Sequence, residues 1–214
     1  MRSKLFHLHD QYFNMVKPPS EFYSEHAEEH GEKHPLDYLP EELKENLERF
    51  ENMLAGERVL VPGCGAGRDV EYFSERGLDV RGSDIAEGMV EEAGRRTDED
   101  CFVEDMRDME VPDSSFEGVW SCACIYFLPK KEMSEALDEF SRALREEGVL
   151  YIDFKTGPET VIKEEFGDAV REYRLLLPEI KELLDEAGFH IIDSSTNTSQ
   201  SGNNTFANFF CRKK

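Results

Sequence analysis

The sequence predicts an α/β fold, a doubly wound and mostly parallel sheet with an antiparallel C-terminal strand, plus N-terminal helices. Three observations carry that prediction. From residue 58 onward, short apolar runs alternate with helical stretches, as a parallel sheet with helices on both faces requires. Helical stretches end at glycines such as Gly77 and Gly188, which accept the left-handed conformation that stops a helix. Finally, the apolar runs 189–192 and 205–211 are separated by polar sequence with no helix. They must be antiparallel neighbours, because a parallel return needs a crossover.

The elements follow in order. Residues 1–55 are polar and hold five of the six histidines, and their helical stretches break at Pro18, Pro19, Gly31, Pro35 and Pro40. They are expected to form a helical lid or cap, with 56–214 the main domain. Leu43, Leu47 and Phe50 recur at i, i+4 and i+7, which is one helix face, and Gly56 stops it. Strands are expected at 58–62, 79–83, 101–104, 116–121 and 149–154, with helices over 67–76, 86–96 and 131–145. Pro178 suits the first turn of a helix that runs to Ala187. Val119 and Trp120 point to opposite faces of the fourth strand, and Trp120 is expected in the core.

Charge narrows the function. Lys and Arg number 25 against 47 Asp and Glu, a net charge of -22 that repels phosphate backbones, so nucleic acid is disfavoured as a partner. Such acidity also suits a high-salt cytoplasm, where screening tames self-repulsion. No apolar stretch approaches the roughly 20 residues that span a bilayer, and no signal peptide is expected, so the chain reads as cytoplasmic with no membrane partner. Cys64, Cys101, Cys122, Cys124 and Cys211 are odd in number and scattered, unlike a disulfide scaffold. Cys122-x-Cys124 lacks a second pair and reads as buried thiols rather than a zinc site. His26-Ala27-Glu28-Glu29-His30 has the H-x-x-E-H spacing, but Gly31 and Pro35 break its helix, so a lid helix is expected there and no metal.

The most informative segment is Val61-Pro62-Gly63-Cys64-Gly65-Ala66-Gly67-Arg68. Alternate glycines after a strand let the backbone turn tightly and approach a ligand, and the following helix offers free N–H groups to negative charge. Asp84 ends the second strand, where a carboxylate accepts from both hydroxyls of a ribose. Arg68 stands where a dinucleotide motif carries its last glycine, which weakens the case for a pyrophosphate and favours an adenosine-like ligand.

With these residues in view, the sequence resembles the class I S-adenosyl-L-methionine-dependent methyltransferases. Gly63-Cys64-Gly65-Ala66-Gly67 matches their glycine motif, and Ser83-Asp84-Ile85, Asp105-Met106-Arg107-Asp108, Asp113-Ser114-Ser115-Phe116 and Arg145-Glu146-Glu147-Gly148 follow in register over about 60–160. The resemblance implies a Rossmann-like seven-stranded sheet and S-adenosylmethionine as cofactor. It places Gly63, Cys64, Gly65 and Gly67 under the methionine part, Asp84 on the ribose, Ile85 and Met106 beside the adenine and Asp105 on its amino group. Ser121 and Cys122 would line the methyl-transfer side, with Tyr23 and His30 covering the cofactor. Arg68 is a physical candidate for the methionine carboxylate. Pro62 departs from the pattern, since most members carry an acid there that orients the ammonium.

The implied activity is methyl transfer to a small-molecule acceptor by positioning. RNA or protein methylation and a non-catalytic cofactor-binding regulatory role are the alternatives. No catalytic residue is assigned; His30, Tyr126 and Asp153 are the bases that position allows.

Overall fold

The computed structural model describes residues 16–35, 37–158, 160–198 and 204–214, so what the sequence suggests for the first fifteen residues lies outside the described residues. The chain enters through β1 (Val16–Lys17), α1 (Pro19–Glu25), α2 (Ala27–Lys33) and α3 (Glu41–Met53). Then come β2 (Arg58–Pro62), α4 (Arg68–Ser74), β3 (Asp79–Asp84), α5 (Glu87–Arg96), β4 (Cys101–Val103) and β5 (Phe116–Ser121). A 3-10 turn at Ile125–Phe127 leads to α6 (Lys130–Ala143), β6 (Leu144–Thr156), β7 (Val161–Glu165), β8 (Asp168–Glu172), α7 (Leu177–Glu186), β9 (Phe189–Thr198) and β10 (Thr205–Lys213).

Seven strands form one sheet in the order β4-β3-β2-β5-β6-β10-β9, and β10 runs antiparallel to both of its neighbours. The remaining neighbours are parallel. The order reverses between β2 and β5, and at such a switch point the loops leaving the strand ends diverge and open a crevice.

Alternation along the central strands separates two cores. Val119 and Leu150 face α6 and α7, among Leu137, Phe140, Ile180 and Leu184. Trp120 and Tyr151 face the other way, stacked with ring centroids 3.9 Å apart, against Phe50 and Phe73 of α3 and α4. Trp120 is core, as expected. Gly118 lets α3 lie close: a Cβ there would stand 2.5 Å from Phe50 Cζ.

The structure adds a second sheet, β1-β8-β7, which the sequence did not announce. Its hairpin turns through Phe166 and Gly167, both at positive φ (55° and 87°), the backbone of a tight two-residue turn. Phenylalanine is a rare occupant of such a position, so the usual asparagine or aspartate signal is missing. The two residues of β1 become a strand only by pairing with β8. Strands β6, β9 and β10 also run longer than the apolar runs, because pairing with β10 extends β6 to Thr156 and β9 to Thr198.

Candidate ligand site

Four adjacent parallel strands deliver their C-terminal ends to one cavity of about 400 Å³. Gly63 to Ala66, after β2, form its floor, with Asp84, Ile85 and Met89 beside them. Glu104 to Arg107, after β4, and Cys122 to Cys124, after β5, supply facing walls, continued by Phe127 and Leu128. Pro18, Pro19, Ser20, Tyr23, His30 and His34 roof it.

The floor depends on glycine. Gly63, Gly65 and Gly67 have φ of 69°, 54° and 89°, where L side chains are strained. Gly63 passes so near Cys124 that a Cβ would lie 2.4 Å from that residue's Cβ, whereas at Gly65 a Cβ meets nothing within 4 Å. Asp84 sets the loop's shape. Its Oδ2 accepts the Gly65 N–H and its Oδ1 the Ala86 N–H, each at 2.9 Å, so one carboxylate joins the loop to the start of α5. Burial pushes the Asp84 carboxyl up, while those backbone donors act in the opposite direction. Each oxygen keeps a further lone pair for a ligand.

Behind the loop, Arg68 Nε donates to Asp69 Oδ1 at 2.7 Å, and Trp120 Nε1 donates to Asp69 Oδ2 at 2.8 Å. Burial works against the Arg68 charge, but Asp69 outweighs it and raises the pKa. Asp105 reaches the opposite wall already clamped by Arg107, which donates from Nε to both of its oxygens at 2.9 and 3.0 Å and holds the carboxyl low. Glu132 engages Arg107 from the rim. Both lining arginines therefore come with their own carboxylates.

The roof rests on rings. Tyr23 meets Phe127 edge-on at 5.2 Å and His30 at 5.5 Å, and His30 lies 4.6 Å from His34. Gly88 allows α1 to approach α5: its N–H donates to Ser24 Oγ at 3.2 Å, and a Cβ would fall 2.3 Å from the Ser24 carbonyl. Burial lowers His30 to about 3 and raises Tyr23. His30 Nδ1 is buried with no hydrogen-bond partner.

Among the residues singled out from sequence, Tyr23, His30, Gly63, Cys64, Gly65, Arg68, Asp84, Ile85, Asp105, Met106 and Cys122 all line this cavity. Two do not. Ser121 is fully buried, its Oγ 3.2 Å from Cys124 Sγ, because strand alternation turns it under the wall. Gly67 faces α5 instead, where a Cβ would stand 2.8 Å from Thr97 Cγ2 and 3.2 Å from Ala93 Cβ, so its place is structural. Sequence reasoning missed Pro18, His34, Met89, Cys124, Phe127, Leu128 and Glu132. Cys124 was the one within reach, two residues beyond a residue already singled out.

Tyr126 and Asp153 do not line the cavity. Asp153 accepts the Ala123 N–H at 2.8 Å just behind Cys122, and burial pushes it up to about 6. His26 and His30 have different neighbours, His30 lying against Tyr23 and His34. His26 Nε2 pairs with Asp168 at 2.9 Å, and the Glu25, His26 and Asp168 grouping on the outer side is crossed by Lys17, whose ammonium bonds both carboxylates.

Residues 60–152 match the family model described as a methyltransferase domain. Among curated proteins, the chain is 29% identical to methyltransferase GfsG of Streptomyces halstedii over 126 residues, 55% of this chain and 45% of that protein. The chain spans about half the length of the curated relatives it matches. Among solved structures, a protein of Methanosarcina mazei described as a SAM-dependent methyltransferase superposes with a TM-score of 0.70 at 18% identity, covering 77% of this chain and 96% of that one. The 1,6-didemethyltoxoflavin-N1-methyltransferase of Burkholderia thailandensis, solved with 1,6-didemethyltoxoflavin and S-adenosylhomocysteine, gives 0.61 at 21% identity, covering 78% of each chain. Residues 60–152 thus match a methyltransferase domain, and the chain has the expected Rossmann-like sheet in common with these solved structures.

Proposed function

We propose that this chain transfers a methyl group from S-adenosylmethionine to a small-molecule acceptor. One observation carries the reading: Asp84, pinned by two backbone N–H groups, faces the cavity above a left-handed glycine loop. The lining fits the cofactor. The backbone is bare at Gly65, an acid with spare lone pairs stands where a ribose is held, and Ile85 and Met106 offer apolar faces for a purine. Asp105 and Tyr23 complete the adenine and roof contacts in this reading, Arg68 reaches the methionine carboxylate, and the segment up to about residue 55 acts as the lid.

Bound there, the sulfonium supplies an already activated methyl group. The protein's part is to hold the acceptor in line and exclude water, which can contribute about 7–11 kcal/mol. Burial lowers His30 to about 3 and raises the Tyr23 hydroxyl and the Cys122 thiol, so none of these three is a ready base near neutrality. An acceptor atom that needs no proton removed in the transition state, such as an uncharged amine, a thiolate or a carboxylate, suits them. Phe127, Leu128, Pro18 and Pro19 make its entrance apolar.

A small acceptor is also what the Burkholderia neighbour holds, and the charge of -22 counts against RNA. The unpaired cysteines and the acidic composition suit a cytoplasmic setting. Only Pro62 favours a non-catalytic cofactor-binding role. Titration calorimetry with S-adenosylmethionine and S-adenosylhomocysteine tests the reading: one site per chain is expected, and the absence of binding by both ligands ends it.

A further inference from the structure

Cys64 and Cys101 stand on either side of β3. Cys101 opens β4 and pairs in register with Gly82, while Cys64, just past β2, donates its N–H to the Ser83 carbonyl at 2.9 Å. Gly82 has no side chain to keep the thiols apart. A Cβ there would lie 2.7 Å from Cys101 Sγ and 3.3 Å from Cys64 Sγ, so the sulfurs are separated by no more than the sum of those distances. Their hydrogen bond raises Cys64, which burial raises further, and lowers Cys101 against its own burial. Cys64 is buried in the cavity floor, whereas Cys101 is half-buried on the edge strand and outside the lining. The pair is a half-buried thiol held low by a second thiol against it.

We infer that Cys64 and Cys101 form a redox modification site whose disulfide disables the cavity. The oxidant is hydrogen peroxide, and the proton Cys101 has given up neutralises the first hydroxide released. The Cys101 thiolate attacks the peroxide, the O–O bond breaks and hydroxide leaves, giving a sulfenic acid. The Cys64 sulfur then attacks Cys101 sulfur, the S–O bond breaks, and the Cys64 proton departs with the second hydroxide as water. The two thiols lose two electrons and the peroxide, gaining them, ends as two waters.

The cross-link requires movement. The two backbones are separated by two strand spacings, roughly 9–10 Å, whereas a disulfide joins Cα atoms about 4.4–6.8 Å apart. Either the glycine loop moves toward β4 or β4 moves toward the loop, and each carries a wall of the cavity: Gly63–Ala66 on one side, Glu104–Arg107 on the other. Oxidation and ligand binding then oppose each other, and by linkage the ligand shields the thiols as much as the disulfide weakens binding. This consequence rests on the proposed cofactor; the cross-link itself does not.

The full chain, reduced and then treated with hydrogen peroxide, is mapped by alkylation and peptide mass, with S-adenosylhomocysteine affinity measured before and after. A 64–101 linked peptide is expected, with affinity at least ~10-fold weaker, restored by dithiothreitol, and cross-linking slowed by the ligand. Cys101→Ser should bind like the untreated protein and ignore peroxide. Thiols consumed without joining 64 to 101, or a cross-link that leaves affinity within twofold, overturns the inference. If the reduced protein binds no ligand, the cofactor reading fails, and the peptide map alone decides whether the pair is a redox site.

Discussion

Two parts of this molecule face each other across one cavity, and they are held differently. The floor is fixed by backbone: three left-handed glycines, and a carboxylate that accepts from Gly65 and Ala86. The N-terminal segment proposed as a lid reaches the rest of the chain through β1 pairing with β8, through ring contacts and through side-chain charges. Lys17 bonds Glu25 and Asp168, His26 pairs with Asp168, and Lys33 meets Glu165, most of these groups being in contact with water. Floor geometry is thus set by groups that salt and pH reach poorly, and part of the lid's attachment by groups they reach directly.

The sharpest break in that comparison is at Asp84. Asp84→Ala leaves the Gly65 and Ala86 N–H groups without partners and removes the acceptor proposed for the ribose. Losing two hydrogen bonds to a charged group, at about 1.5–3 kcal/mol each, weakens S-adenosylhomocysteine binding by roughly 100-fold or more. Calorimetry reads the affinity and thermal melting the stability. Asp84→Ala binding within threefold of the parent would show that the carboxylate is only a brace.

Two neighbouring glycines give the next test. Gly63→Ala combines a left-handed backbone with a Cβ 2.4 Å from Cys124 Cβ and should cost about 2–4 kcal/mol. Gly65→Ala meets open space and should cost only about 1 kcal/mol of backbone strain, yet its methyl projects at the cavity floor. Melting curves should therefore rank Gly63→Ala as the less stable variant.

The same contrast explains what was legible in the sequence. Glycine spacing, the acid ending β3 and the apolar runs are local signals for backbone geometry, so the seven-stranded sheet and most of the floor could be read directly. The direction of Ser121 was not legible, because a position at the end of β5 does not say which face its side chain takes, and in the structure it turns beneath Cys124. The lid's partners lie far off in sequence: Lys17 and Asp168 are 151 residues apart. Neither Phe166-Gly167 nor a two-residue β1 carries a local signature of the sheet it builds.

Asp153 tests the buried side of the comparison by pH. Its folded pKa, about 6, lies above the model-compound value of 3.8, so the carboxyl favours folding when protonated, below the unfolded pKa, and loses that benefit as pH rises through 6. Asp153→Asn keeps an acceptor for the Ala123 N–H without the buried charge. It should stabilise the protein by about 1–3 kcal/mol at pH 8, a gain of several degrees in melting temperature, and should make no difference near pH 3.5. A variant equally or less stable at pH 8 would place the Asp153 charge among the groups that hold the fold.

Salt gives the smallest effect and separates the two regions most directly. Screening relieves the self-repulsion of a chain at -22, so the melting temperature should rise from low to molar KCl. The same salt weakens exposed ion pairs such as Lys33–Glu165, each worth less than about 1 kcal/mol. Hydrogen exchange should therefore quicken in α1, α2 and β8 as the core strands become better protected. Lys33→Ala should reproduce the lid's part of that response at low salt and leave exchange in β2 and β5 unchanged. Uniform slowing of exchange in molar KCl, lid included, would mean that apolar contacts such as Phe22 on Phe166 hold the cover down and that the charges around them only decorate it.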